Sequence, residues 1–205
     1  ASIDTKLKTS VKDFLNPKID PRAEEDRKLA EKWKREDEQR DKKNQAQHKK
    51  SVSYAKKNVQ KIRKNGFKKG VVSSLQYHLL EQARSSENST STSWASANWR
   101  ALKKEYGLKV AEAFHDSMMG FWREYKPKLR SEKDMGNSTP IAIIYGLNGI
   151  AIESAESHNW PNVLSKSDIE TACRYALHEL NGFPTWFPKL YAAFPDIAQR
   201  IITHE

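Results

Sequence analysis

The chain has 205 residues, 37% hydrophobic and 30% charged, with a formal net charge of +10: long enough for one large or two modest domains with a proper core. Its single cysteine, Cys173, excludes an internal disulfide and fits a reducing compartment, so a cytoplasmic location is expected. The longest uncharged run late in the chain, residues 138–152, is too short and too glycine-dotted to span a bilayer, and no membrane span is expected.

Residues 1–19 hold a weak apolar pattern, Leu7, Val11 and Leu15, interrupted by Pro17. Asp20-Pro21 reads as a helix start, with Glu24, Glu25 and Asp26 against the positive end of the helix dipole. No Gly or Pro follows until Gly66, which implies one long helix or two joined by a polar kink. From Arg22 to Asp41 eight acids alternate with seven bases, the mixture of a solvated face.

The charge then changes character. Residues 42–69 hold eleven Lys or Arg and no acid, so the rest of the chain is close to neutral. The bases come in pairs seven apart: Lys42 and Lys43, Lys49 and Lys50, Lys56 and Lys57, Arg63 and Lys64. Two helical turns take about 7.2 residues, so the pairs stack along one side of a helix with slow drift. Val52, Ala55, Val59 and Ile62, spaced 3, 4 and 3, form an apolar stripe well away from them. Such a helix meets something anionic, covers a hydrophobic surface, or both. Lysine stripes hold phosphate backbones by displacing counterions, and lysine positions a duplex better than it reads bases. A merely solubilising face, an acidic protein or a membrane surface are the competing readings.

Gly66 and Gly70 punctuate the chain, and Val71, Val72, Leu75, Leu79 and Ala83 form a second stripe. Residues 85–93, nearly all Ser, Thr, Asn and Glu, read as a flexible linker and place the main boundary there. The expected organisation is a charged helical arm over 1–84, the linker over 85–93 and a globular multi-helix domain over 94–205.

In that last part Ser93 is expected to cap a helix carrying Trp94, Trp99 and Leu102, stopped by Gly107. Ala111, Phe114, Met118, Phe121, Trp122 and Tyr125 make a wide aromatic stripe closed by Pro127. Pro140 opens an apolar stretch, 141–152, expected to be the central buried helix, with Gly146 and Gly149 allowing a neighbour close. Ser167 and Glu170 suggest a capping box for a helix burying Ile169, Ala172, Cys173, Ala176, Leu177 and Leu180, and Asn181-Gly182 suggests its end. Strand-like alternation is missing. The fold class is all-α: a long charged N-terminal helix followed by a multi-helix bundle or irregular α-solenoid.

Four aromatic-proline steps, at Trp160, Phe183, Phe187 and Phe194, read as punctuation of short helical hairpins, with a binding groove lined by Trp186, Phe187 and Tyr191 as the minority case. No zinc-ligand spacing, phosphate loop or catalytic constellation appears. His115-Asp116 and His178-Glu179 are adjacent pairs whose side chains are expected to point apart. Cys173 lies on an apolar face as an inert thiol. No cofactor is implied.

The stretches starting at Trp99 (WRALKKEYGLKVAEAF), Phe121 (FWREYKP), Pro140 (PIAIIYGLNGI) and Tyr175 (YALHELNGFPTWF) resemble the helical-repeat portions of very large bacterial multidomain proteins. Some of those are similar to the signal-sensing NTPases of antiviral defence, where an NTPase core is followed by an α-solenoid. The resemblance covers residues 94–205 and implies a recognition or scaffolding segment in a bacterial cytoplasm. Its partners would be another protein or the remaining domains of a longer chain. Walker-type residues are missing, and the helices recur at irregular rather than fixed intervals. The lack of an initiator Met and of a helix stop after Ile201 and Ile202 also suggests a segment of a longer protein. The reading is non-enzymatic macromolecular recognition. The alternative is sequence-indifferent binding of DNA or RNA through residues 42–69.

Overall fold

The computed structural model describes residues 8, 11, 14, 21–63, 69–85, 93–132 and 138–204. Leu7, Leu15, Lys64, Gly66 and the expected linker at 86–92 lie outside them. The described residues form helices and no strand. In chain order these are α1 (Pro21–Lys57), α2 (Val59–Arg63), α3 (Ser74–Ser85), a 3-10 turn (Trp99–Leu102) running into α4 (Lys103–Tyr106), and α5 (Leu108–Glu124). Then come α6 (Ile141–Glu156), α7 (Lys166–Ala176), α8 (Phe187–Ala193) and α9 (Pro195–Ile202). None of these is long and apolar enough to cross a membrane.

The chain divides into two units, Ala1–Lys50 and Ser51–Glu205. The division lies inside α1 rather than at the Ser/Thr tract, a correction to the expected organisation. Its cause is burial. Ala55, Ile62, Leu79, Leu80 and Ala83 share one hydrophobic cluster with Trp99, Leu102, Phe114 and Met118. Residues on both sides of the tract therefore complete one core, and residues 51–85 cannot be a separate arm.

In the second unit α6 is the partition between two clusters. Ala142, Ile144, Tyr145 and Ile152 face the first cluster, while Ile143, Leu147 and Ile150 face a second made with Trp122, Trp160, Ile169, Cys173, Trp186 and Leu190. A helix apolar on nearly every side has to be covered on every side, and this one is. Its glycines admit the neighbours, as expected. A Cβ on Gly149 would lie 2.1 Å from the Met118 carbonyl oxygen, and one on Gly146 would lie 2.3 Å from the Tyr175 ring.

Three local expectations are corrected. Ser93 caps no helix; its hydroxyl donates to Glu179 Oε2 (2.9 Å), and Asn98 caps the turn at Trp99. The capping box is Ser165 with Asp168, two residues earlier than expected. α7 ends at Ala176, before Asn181-Gly182, and Leu180 is exposed. Gly107, with φ +83°, separates α4 from α5.

Candidate functional site

The long helix of charged residues forms as the sequence suggests, but its two halves differ. In the mixed half exposed neighbours pair off: Lys28 with Glu24 (3.0 Å), Lys32 with Glu36 (3.9 Å) and Arg40 with Asp37 (2.7 Å). Lys49, Lys50, Lys56 and Lys57 have no acidic residue within one turn along the sequence, because none exists between Asp41 and Glu81. In the first unit Lys42, Lys43, Lys49 and Lys50 are exposed; in the second, Lys56 and Lys57 are exposed as well.

The opposite face of residues 51–62 is anchored in the second unit. Ala55 and Ile62 are fully buried, and Val52 and Val59 pack against the same cluster. The apolar stripe is thus a brace, and Lys56 and Lys57 remain on the side that the brace leaves to solvent. The two readings of this helix, structural support and contact surface, belong to different faces of it.

Between Lys57 and Val59 the helix breaks. Asn58 causes this locally: its side-chain amide donates to the Tyr54 carbonyl (2.8 Å), the acceptor its own backbone N–H would take in a continuous helix. The N–H instead donates to the Ala55 carbonyl (3.1 Å). The break shifts the register of the last pair. Arg63 turns toward α5 and pairs with Asp116 (3.1 Å), so it is not a continuation of the lysine row. Lys64 lies outside the described residues.

Gln76, which belongs to no motif or periodic stripe, fixes α2. It is fully buried, and its amide donates both to the Ile62 carbonyl and to Ser117 Oγ, each at 2.8 Å. Tyr145 also donates to Ser117 Oγ (2.9 Å), which ties α2, α3, α5 and α6 through one polar knot.

The aromatic groove does not form. Trp186 and Phe187 are buried, Trp186 edge-on to Trp160 at 5.8 Å and Phe187 stacked under Phe183 at 4.4 Å. Pro188 starts α8 so that Phe187 and Leu190 face the core and Tyr191 is left partly exposed.

A second polar cluster contradicts the expectation that His115 and Asp116 point apart. His115 Nδ1 lies 3.0 Å from Asp116 Oδ1, and its Nε2 lies 2.9 Å from Glu156 Oε2. Trp99 Nε1 and Arg100 also donate to Glu156, at 3.2 and 2.7 Å. Burial pushes the Glu156 carboxyl up, but the hydrogen bonds from His115 and Trp99, with the Arg100 charge, hold it below the usual range. Glu156, Trp99, Arg100 and Asn148 edge a groove of about 420 Å³. Asn148 is itself engaged, accepting from the Ala97 N–H (2.7 Å) and donating to the Trp94 carbonyl (2.9 Å). Both His115 nitrogens are thus engaged by carboxylates. Among the described residues no three His, Cys, Asp or Glu side chains are arranged to hold a metal.

Burial pushes the Cys173 thiol up to about 12, with Glu170 adding a smaller push, so it stays a core thiol as expected. No protein-family model, curated protein or solved structure matches the chain.

Proposed function

We propose that the chain is a non-enzymatic recognition module whose basic end of α1 holds an extended polyanion, the phosphate backbone of DNA or RNA. One observation carries this reading: in the second unit Lys56 and Lys57 are exposed in a stretch without acids, while Ala55 beside them in sequence is buried on the other side of the helix. A helix fixed through one face presents its charges without having to order them at the moment of binding, which lowers the entropic cost of the contact. The chemistry is charge without base reading, because lysine is a point donor with no planar fork. The helical bundle would act as the scaffold. On the resemblance read from the sequence, that scaffold would be of the kind found in the helical-repeat portions of large bacterial multidomain proteins, with a protein partner or further domains beside it.

Fluorescence anisotropy with labelled DNA and RNA of about 20 nucleotides tests it, starting from about 25 mM salt. If all six exposed lysines engage, log K falls against log salt with a slope of about −4 to −5. Lys49→Glu, Lys50→Glu, Lys56→Glu and Lys57→Glu together abolish binding with helical circular dichroism unchanged. No binding of the unaltered chain at the lowest salt ends the proposal.

A further inference from the structure

Tyr54 is the exposed aromatic of the basic stretch 42–69 among the described residues, with 52% of its surface open to solvent. It sits one residue before fully buried Ala55, so its backbone is fixed by the brace. Lys57 follows it by three residues on the same helix and so lies beside it one turn on. From α2, across the Asn58 break, Lys61 Nζ stands over the Tyr54 ring at 5.8 Å from its centroid. The Tyr54 carbonyl is held by the Asn58 amide at 2.8 Å, which sets the angle at which α2 brings Lys61 back to the ring.

An exposed ring costs unburied apolar surface, and surface aromatics singly need no explanation. This one differs in its surroundings. It has the Lys61 ammonium over its ring and Lys57 one turn on in sequence, is carried on an anchored backbone, and lies in a stretch with no acid between Asp41 and Glu81. Other exposed aromatics lack that combination: Trp33 lies between Glu31 and Glu36 in the mixed-charge half, and Tyr191 lies on α8.

Resting on the polyanion reading above, we infer that Tyr54 with Lys57 and Lys61 forms a stacking subsite, so that the bound polyanion is a single-stranded nucleic acid. A base stacks on the ring while the two ammonium groups take the flanking phosphates. Proteins that bind single strands without sequence preference combine these two elements, because every base has a π-face to offer and every backbone has charge. A duplex keeps its bases stacked on one another and offers the ring nothing. The Tyr54 hydroxyl has no part in this, since stacking uses the ring face.

The experiment compares three probes of equal length at low salt: a single-stranded DNA, the same sequence as a duplex, and an abasic strand with the same phosphates. Tyr54→Ala is expected to weaken single-strand binding roughly fivefold to a hundredfold. It leaves the duplex, the abasic strand and the salt slope unchanged, and Tyr54→Phe behaves as the unaltered chain. Equal loss on all three probes shows that Tyr54 acts through the fold and overturns the subsite. So does an unchanged single-strand affinity in Tyr54→Ala, and in that case the lysine reading still stands. Failure of the unaltered chain to bind any of the three removes the polyanion reading itself. Melting of Tyr54→Ala by circular dichroism separates loss of fold from loss of stacking.

Discussion

Gly149 and Met118 meet without a side chain between them: a Cβ on the glycine would lie 2.1 Å from the methionine's carbonyl oxygen. A backbone atom on α5 cannot swing aside as a flexible side chain would, so the two helices must separate to admit a methyl group. Gly149→Ala is therefore expected to destabilise the second unit by about 2–3 kcal/mol or more, measured by urea unfolding. Gly107→Ala makes the control. It has open space around it but φ +83° and ψ 163°, a region essentially reserved to glycine, so it loses about 1–3 kcal/mol through backbone strain alone. A Gly149→Ala chain as stable as the parent would show that α5 and α6 do not pack this closely.

Glu153 is the buried acid of the core, accepting from Trp122 Nε1 (3.0 Å) and from both terminal nitrogens of Arg123 (2.6 and 2.5 Å). Removing it leaves an indole N–H and a guanidinium short of partners. Glu153→Ala should cost about 2–4 kcal/mol, toward the lower end because Arg123 is partly exposed and keeps Asp168 at 3.8 Å. Glu153→Gln should lose less, since an amide oxygen still receives the Trp122 N–H. Equal losses in the two variants would place the effect in the carboxylate charge rather than in packing or in the Trp122 hydrogen bond.

Gln76 predicts a local rather than global effect. Gln76→Leu keeps bulk but strips the Ile62 carbonyl and Ser117 Oγ of their shared donor, a loss of about 1–3 kcal/mol. Hydrogen exchange should accelerate in α2 before it does in α6. Because Lys61 rides on α2, single-strand affinity should fall in the same variant.

Acid titration isolates one surface pair. Arg174 hydrogen-bonds Glu132 on both carboxylate oxygens (2.7 Å each), and the Leu129 N–H adds a third bond (3.0 Å). These hold the carboxyl down, from its ordinary 4.5 to about 2. A pKa depressed in the folded state gives stability that is present above about 4.5 and is lost as pH falls toward about 2. Glu132→Gln should flatten that part of the stability–pH curve and leave neutral pH less affected than Glu153→Ala does. A curve of unchanged shape would mean that the pair is not made in solution.

Much of this was legible because it is local. The seven-residue beat of the lysines from Lys42 to Lys57 belongs to α1, the stripe begun there by Val52 and Ala55 goes on through Val59 and Ile62 of α2, and periodicity reads a helix directly. The boundary was not legible for the opposite reason. That Ala55 and Leu79 need Phe114 and Met118 as partners is a fact about distant segments, while a Ser/Thr tract between them looks like a linker whatever it joins. The misplaced capping box had a usable signal. Both Ser165 and Ser167 stand three residues before an acid, but only Ser165 also has apolar residues at the two staple positions, Leu164 and Ile169, and both are buried in one cluster. The early end of α7 had none, because it is set by distant contacts: His178 reaches the Lys128 carbonyl (2.9 Å), and Glu179 accepts from the Trp94 N–H (2.6 Å).

Tyr54 carries no sequence signal of its own. Tyr54 lies between two lysine pairs and breaks no pattern, so only its exposure and the Lys61 contact bring it forward.

Cys173 has a practical consequence. The sole thiol of the chain is fully buried and strongly disfavoured as a thiolate, so a maleimide added at neutral pH reacts with it only when the second cluster opens. Its labelling rate is then a clock for core opening in the unmodified protein, readable by mass without any engineered reporter. The same silence lets a cysteine placed at an exposed lysine position carry a dye by itself, with the native thiol left in place.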